Sequence, residues 1–105
     1  MPKFEKVARI GELGPGQKKV IEVEGRHIGL FNVDGQIYAI DDICTHDGGP
    51  LAEGELYGCE IECPRHGARF DVRTGAALCM PAVEAVRSYP VRVEGNDVLL
   101  ETEAD

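Results

Sequence analysis

The chain has 105 residues, the size of one ordinary domain, enough for a modest core but too short for a redox domain plus a catalytic domain with its own substrate pocket. A formal charge of -8 and a pI near 4.8 disfavour nucleic acid, whose phosphates are held by clustered Lys and Arg, and make a basic protein surface the natural complement. No apolar run approaches the roughly 20 residues that span a bilayer, and Met1-Pro2-Lys3-Phe4-Glu5-Lys6 has no secretory apolar stretch, so no membrane partner and a cytoplasmic location are expected.

Thirteen glycines divide the chain into short segments, with turn signals at Gly14-Pro15-Gly16, Glu24-Gly25, Asp34-Gly35 and Glu94-Gly95-Asn96-Asp97. The β-rich runs Lys19–Glu24 and His27–Val33 lie between the first of these turns, and their polar-apolar alternation is imperfect. Asp34-Gly35 separates Leu30–Val33 from Gln36–Ile40, which predicts a tight hairpin with a two-residue primed turn. At the far end, Tyr89–Glu94 and Asp97–Glu101 flank a Gly-Asn turn and predict a second antiparallel pair. Helical periodicity is nowhere sustained, so the fold class is all-β, with residues 1–105 forming a single domain. The acidic tail Glu101-Thr102-Glu103-Ala104-Asp105 is expected to fray.

Chemistry concentrates between Asp41 and Pro81, which hold all four cysteines and two of the three histidines. In a reducing compartment such cysteines point to metal or redox chemistry before disulfides. Cys44-Thr45-His46 and Cys63-Pro64-Arg65-His66-Gly67 are separated by 16 residues, and each pair offers one thiolate and one imidazole. That donor set suits zinc, copper or iron-sulfur chemistry and not the hard cations. Zinc is the structural rival, as a zinc-stabilised interaction module. Zinc fingers, however, run Cys, Cys, His, His with the histidines on an apolar helix, whereas here the order alternates on glycine-rich turns.

These motifs resemble the Rieske iron-sulfur proteins, whose signature is Cys-x-His followed, roughly 15 to 20 residues on, by Cys-x-x-His. The flanks agree as well: Gly48-Gly49-Pro50-Leu51 follows the first pair, and Gly67, Phe70-Asp71 and Thr74-Gly75 follow the second. The resemblance implies three antiparallel sheets with a small cluster-binding subdomain at about 41–81. It also implies one 2Fe-2S cluster, with Cys44 and Cys63 on one iron and His46 and His66 on the other.

Function follows from the same resemblance. A cluster whose ligation is saturated has no open position for substrate, so the chain is expected to be a one-electron carrier and not an enzyme. The pattern is that of ferredoxins of bacterial aromatic-ring dioxygenase systems, with a flavoprotein ferredoxin reductase and a terminal Rieske oxygenase as partners. The small Rieske-like subunit of nitrite reductase is the alternative within electron transfer. High-potential members of the family carry a disulfide where this chain has Asp47 and Arg65, and a serine and a tyrosine where it has Ala68 and Phe70. Without those hydrogen bonds to sulfur the potential is expected at the low end of the Rieske range, roughly -150 to +300 mV.

The remaining residues receive lesser roles. Cys59 shares strand parity with Ile61 and Cys63 and is read as an inward-packed small hydrophobe, without a disulfide to Cys79. Pro81 is read as shielding the cluster. His27, without a partner at ligand spacing, receives no role. Arg65, Arg69 and Arg73 are placed near the cluster tip, as docking or solvated charges.

Overall fold

The computed structural model describes residues 4–42, 51–64, 67–79 and 84–101. They form three antiparallel sheets, as expected. The central sheet contains β2 (Lys18–Val23), β3 (Arg26–Val33), β4 (Gln36–Asp41) and β9 (Ser88–Tyr89) in the order β2-β3-β4-β9. A three-stranded sheet contains β1 (Phe4–Arg9), β10 (Val91–Glu94) and β11 (Asp97–Glu101) in the order β1-β11-β10. The third sheet, β5 (Glu55–Tyr57), β6 (Glu60–Glu62), β7 (Arg69–Asp71) and β8 (Ala77–Cys79), pairs in chain order and lies inside the segment where the chemistry was expected. Among the described residues the helical elements are two 3-10 turns, Ile10–Glu12 and Leu51–Glu53.

Why β3 reads as a nearly continuous apolar run is answered by its position. Ile28 and Leu30, with Ile37 and Ala39 of β4, face Val98 and Leu100 of β11 in one core. Phe31 and Ile40 face the opposite way, into a second core with Leu51, Ile61, Phe70 and Val72. A strand buried on both faces has no polar side to alternate with. Even Gly29 is fitted to this layer, since a Cβ there would sit 2.9 Å from the Phe31 ring.

The hairpin turns follow their sequences. Glu24-Gly25 and Asp34-Gly35 both adopt positive φ at two successive residues (53° and 81°, 52° and 92°), the type I′ geometry that matches strand twist. Two elements differ from the sequence reading. Tyr89–Glu94 is not one strand: Ser88-Tyr89 pairs with β4 and Val91–Glu94 with β11. Pro90 marks the crossing, because it has no N–H to give to a ladder. β1 was not foreseen, because only Ala8 within it is buried and its charged residues mask the period.

Gly75 occupies the junction on which the third sheet closes. Its carbonyl accepts the Val86 N–H at 2.8 Å, its φ is +85°, and a Cβ would lie 2.0 Å from the Val86 carbonyl oxygen. Gly25 has a similar φ of +81° with nothing within 4 Å of a Cβ. Denaturant unfolding of the two alanine variants should separate conformational strain from collision. Gly25→Ala should cost about 1–2 kcal/mol for the left-handed backbone alone, and Gly75→Ala at least about 1 kcal/mol more. Equal losses would show that the Val86 contact is not constraining.

Candidate metal centre

Cys63 stands at the end of β6, where the β6–β7 hairpin opens into its connection. Its N–H donates to the Ala68 carbonyl at 2.6 Å, and its own carbonyl accepts the Gly67 N–H at 3.1 Å. Gly67 turns the chain with φ +74°, which a side chain would resist. The residue is 1% exposed and packs with Ile61, Ala68, Phe70 and Leu51. Its thiol is free. Arg65 and His66 belong by sequence to this connection and lie outside the described residues.

Cys44, His46 and Asp47 also lie outside the described residues, within 43–50. The ends of that segment are described, and both are held. On the upstream side, the Asp42 N–H donates to the His27 carbonyl at 2.9 Å. Downstream, Leu51 and Ala52 enter the same core as Cys63, and the Gly54 N–H closes the 3-10 turn onto the Leu51 carbonyl at 3.0 Å. Across the gap, Asp42 Oδ1 accepts the Ala52 N–H at 2.7 Å.

The root of the first segment meets the root of the second at Gly54. A Cβ there would sit 1.6 Å from the Glu62 carbonyl oxygen and 3.2 Å from Pro64 Cδ. A hollow of about 370 Å³ lies between the two roots, lined by Glu53, Gly54, Glu55, Glu62, Cys63, Pro64 and Gly67. Of the four predicted ligands the described residues therefore include Cys63 alone. Among them no three His, Cys, Asp or Glu side chains gather as a metal cage. What is described fits an iron-sulfur group: an uncrosslinked thiol on an apolar floor, with a hollow opening between two pinned loop roots.

Other sequence assignments are refined. Cys59 lies in the Gly58-Cys59 turn between β5 and β6 and not on a strand, yet it packs against the core as expected and is free. Pro81 lies outside the described residues, as does the side chain of Cys79. His27 is exposed on β3 opposite Glu22. Arg69 borders the hollow's sheet, stacked 4.6 Å over Tyr57 and 3.4 Å from Glu60.

Arg73 corrects the sequence reading. It lies in the β7–β8 turn, at the other end of β7 from the Cys63 connection, because Asp71 recruits it there. Asp71 accepts from the Arg73 N–H at 2.8 Å, from Nε at 3.1 Å and from Nη2 at 2.9 Å. These bonds hold the Asp71 carboxyl below the ordinary carboxylate range and raise the guanidinium further. Near the first segment, burial and then the hydrogen bond to Asp41 raise the Tyr89 hydroxyl.

Sequence reasoning missed Asp42 and Gly54. Asp42 carried a usable signal, since an Asp at a strand end tends to bond nearby backbone N–H groups. Gly54, between two glutamates, read only as a turn.

The family model of the Rieske [2Fe-2S] domain matches residues 3–90. The chain is 44% identical to the ferredoxin component of the naphthalene 1,2-dioxygenase system of Pseudomonas aeruginosa, over 86% of each chain. Its structure superposes on the ferredoxin of carbazole 1,9a-dioxygenase from Nocardioides aromaticivorans with a TM-score of 0.91 and 36% identity, covering 98% of this chain and 99% of that one. A chain in a complex of reduced oxygenase and oxidized ferredoxin of carbazole 1,9a-dioxygenase gives 0.90 and 32%, covering 97% and 95%. The matched motifs, the three sheets and these likenesses converge, and the chain belongs to the Rieske [2Fe-2S] family as an electron carrier of the ferredoxin kind that holds a Rieske 2Fe-2S cluster.

Proposed function

We propose that the chain accepts one electron at a time from a flavoprotein reductase and delivers it to a terminal Rieske oxygenase. In this reading Cys44 and Cys63 bind one iron and His46 and His66 the other. The observation that carries the proposal is the 44% identity to a dioxygenase ferredoxin component over 86% of both chains. That likeness does not favour the nitrite reductase subunit or a zinc module. The oxygenase partner is supported by the complex in which a similar ferredoxin chain is found. Cytoplasmic placement is in keeping with Cys59, which forms no disulfide. Among the described residues no helix is long and apolar enough to cross a membrane.

When bound, the cluster supplies a one-electron couple with no vacant coordination site. The chain's residues set its surroundings. Cys63 offers its sulfur from an apolar, nearly water-free seat, and Ala68 and Phe70, both 0% exposed, bring no side-chain donor to it. Sulfur without those donors stabilises the reduced, more negative state less, so the potential falls. A shuttle must also leave its partner, which suits an interface below about 1,200 Å².

The ligand assignment is tested by EPR of anaerobically purified, dithionite-reduced protein. A rhombic spectrum with an average g below that of all-cysteine clusters is expected, and Cys63→Ala should abolish it. A colourless, EPR-silent protein that contains metal would point to zinc and end the electron-transfer reading.

Phe70→Tyr should raise the reduction potential by tens of millivolts, on the order of the steps that second-shell hydrogen bonds produce. Film voltammetry reads it directly. An unchanged potential in a well-folded variant would remove the missing hydrogen bonds as the cause of a low value.

A further inference from the structure

We propose that Asp42 is a positioning residue for the cluster: by accepting the Ala52 N–H it ties together the two ends of the segment that carries Cys44 and His46. The inference rests on the ligand assignment proposed above and assigns a role to a residue outside that set.

The bond is specific. Asp42 Oδ1 and the Ala52 nitrogen are 2.7 Å apart across ten positions of sequence, and this is the direct tie between the two ends among the described residues. The upstream end is fixed to β3 through the His27 carbonyl. The downstream end is fixed to the core by Leu51, 0% exposed, and to β6 by the contact of Gly54 with Glu62. Each end thus has its own anchor. Among the described residues, the Asp42 carboxylate is what sets one against the other.

Among the described residues the neighbouring carboxylate does not substitute for it. Asp41 is engaged elsewhere, accepting the Tyr89 hydroxyl at 2.5 Å. Ala52 is 8% exposed and the bond is part-buried, so its N–H would lose its acceptor where water replaces it poorly, which favours a local rearrangement. Such a rearrangement would shift the Cys44 end of the site against the Cys63 end, because Ala52 and Cys63 share one core.

Three variants separate the tie from charge and from general stability. Asp42→Ala removes the acceptor and the charge, and Asp42→Asn removes the charge but keeps a carbonyl oxygen in place. Val98→Ala weakens the other core and serves as the stability control. Each is loaded with cluster and read by reduced-state EPR, by reduction potential and by the rate at which a chelator bleaches the visible absorbance. Asp42→Ala should show altered g values, a shifted potential and bleaching several-fold faster than Val98→Ala, with Asp42→Asn within about twofold of wild type.

If Asp42→Ala does not accumulate as folded protein, Asp42→Glu carries the same comparison, since it keeps the charge and displaces the acceptor by one methylene. The inference is overturned if Asp42→Ala (or Asp42→Glu) keeps the wild-type spectrum and bleaches no faster than Val98→Ala. It is equally overturned if Asp42→Asn is as impaired as Asp42→Ala, because charge and not the tie would then be responsible. A wild-type chain without the low-g rhombic signal fails at the earlier step, the cluster assignment, and takes this inference with it.

Discussion

The Glu62 carbonyl approaches Gly54 so closely that a Cβ would sit 1.6 Å from it, and the end of the molecule that holds Cys63 is organised around that contact. Gly54 closes the 3-10 turn that follows the segment carrying the Cys44-Thr45-His46 motif, while Glu62 immediately precedes Cys63 in the second motif. Bringing backbone against backbone there allows the roots of two segments distant in sequence to line one hollow. Any larger residue would push the roots apart, since the opposing atom is main chain and cannot rotate away.

The same core holds both roots against the rest of the molecule. Phe31 and Ile40 come from the central sheet, Leu51 and Ala52 from the first root, and Ile61, Cys63, Phe70 and Val72 from the cluster sheet. Strands of three residues, such as β5 through β8, are at the short end of the usual range and gain little from their own ladders. Their order therefore comes from packing on the central sheet, whose two faces are both covered. This explains why the chain invests its most continuous apolar run in β3, outside both Cys-His motifs.

How much of this was readable depended on whether the signal was local. The Asp34-Gly35 hairpin followed from two residues whose short side chain or absent Cβ tolerates positive φ. The alternation of Cys and His in two short motifs led to the family, and the free, buried Cys63 agrees with it. Less was legible where distant segments decide the outcome. Pro90 splits a β run between two sheets only because β4 and β11 both await a partner. β1 is recognisable only once β11 is there to receive it. Arg73 left the cluster end because of a tight turn with Asp71 that residue types alone did not single out. The other three predicted ligands fall outside the described residues, so their placement remains a proposal carried by the motif.

Positive charge is neutralised locally in this arrangement, while negative charge gathers at the hollow. The guanidinium of Arg69 is stacked on Tyr57 and paired with Glu60, and that of Arg73 with Asp71, so neither presents an unbalanced positive charge. Glu53, Glu55 and Glu62 line the hollow beside Cys63, Glu62 sharing Arg69 at 3.8 Å, and the chain as a whole carries -8. Negative surroundings make an added electron harder to hold, in the same direction as the missing hydrogen-bond donors at Ala68 and Phe70. A low potential would thus have two sources acting together, the acidic rim and the apolar seat. They differ in reach: salt screens the exposed carboxylates within about 10 Å at 0.1 M ionic strength, whereas the buried contacts at Cys63 are shielded from it.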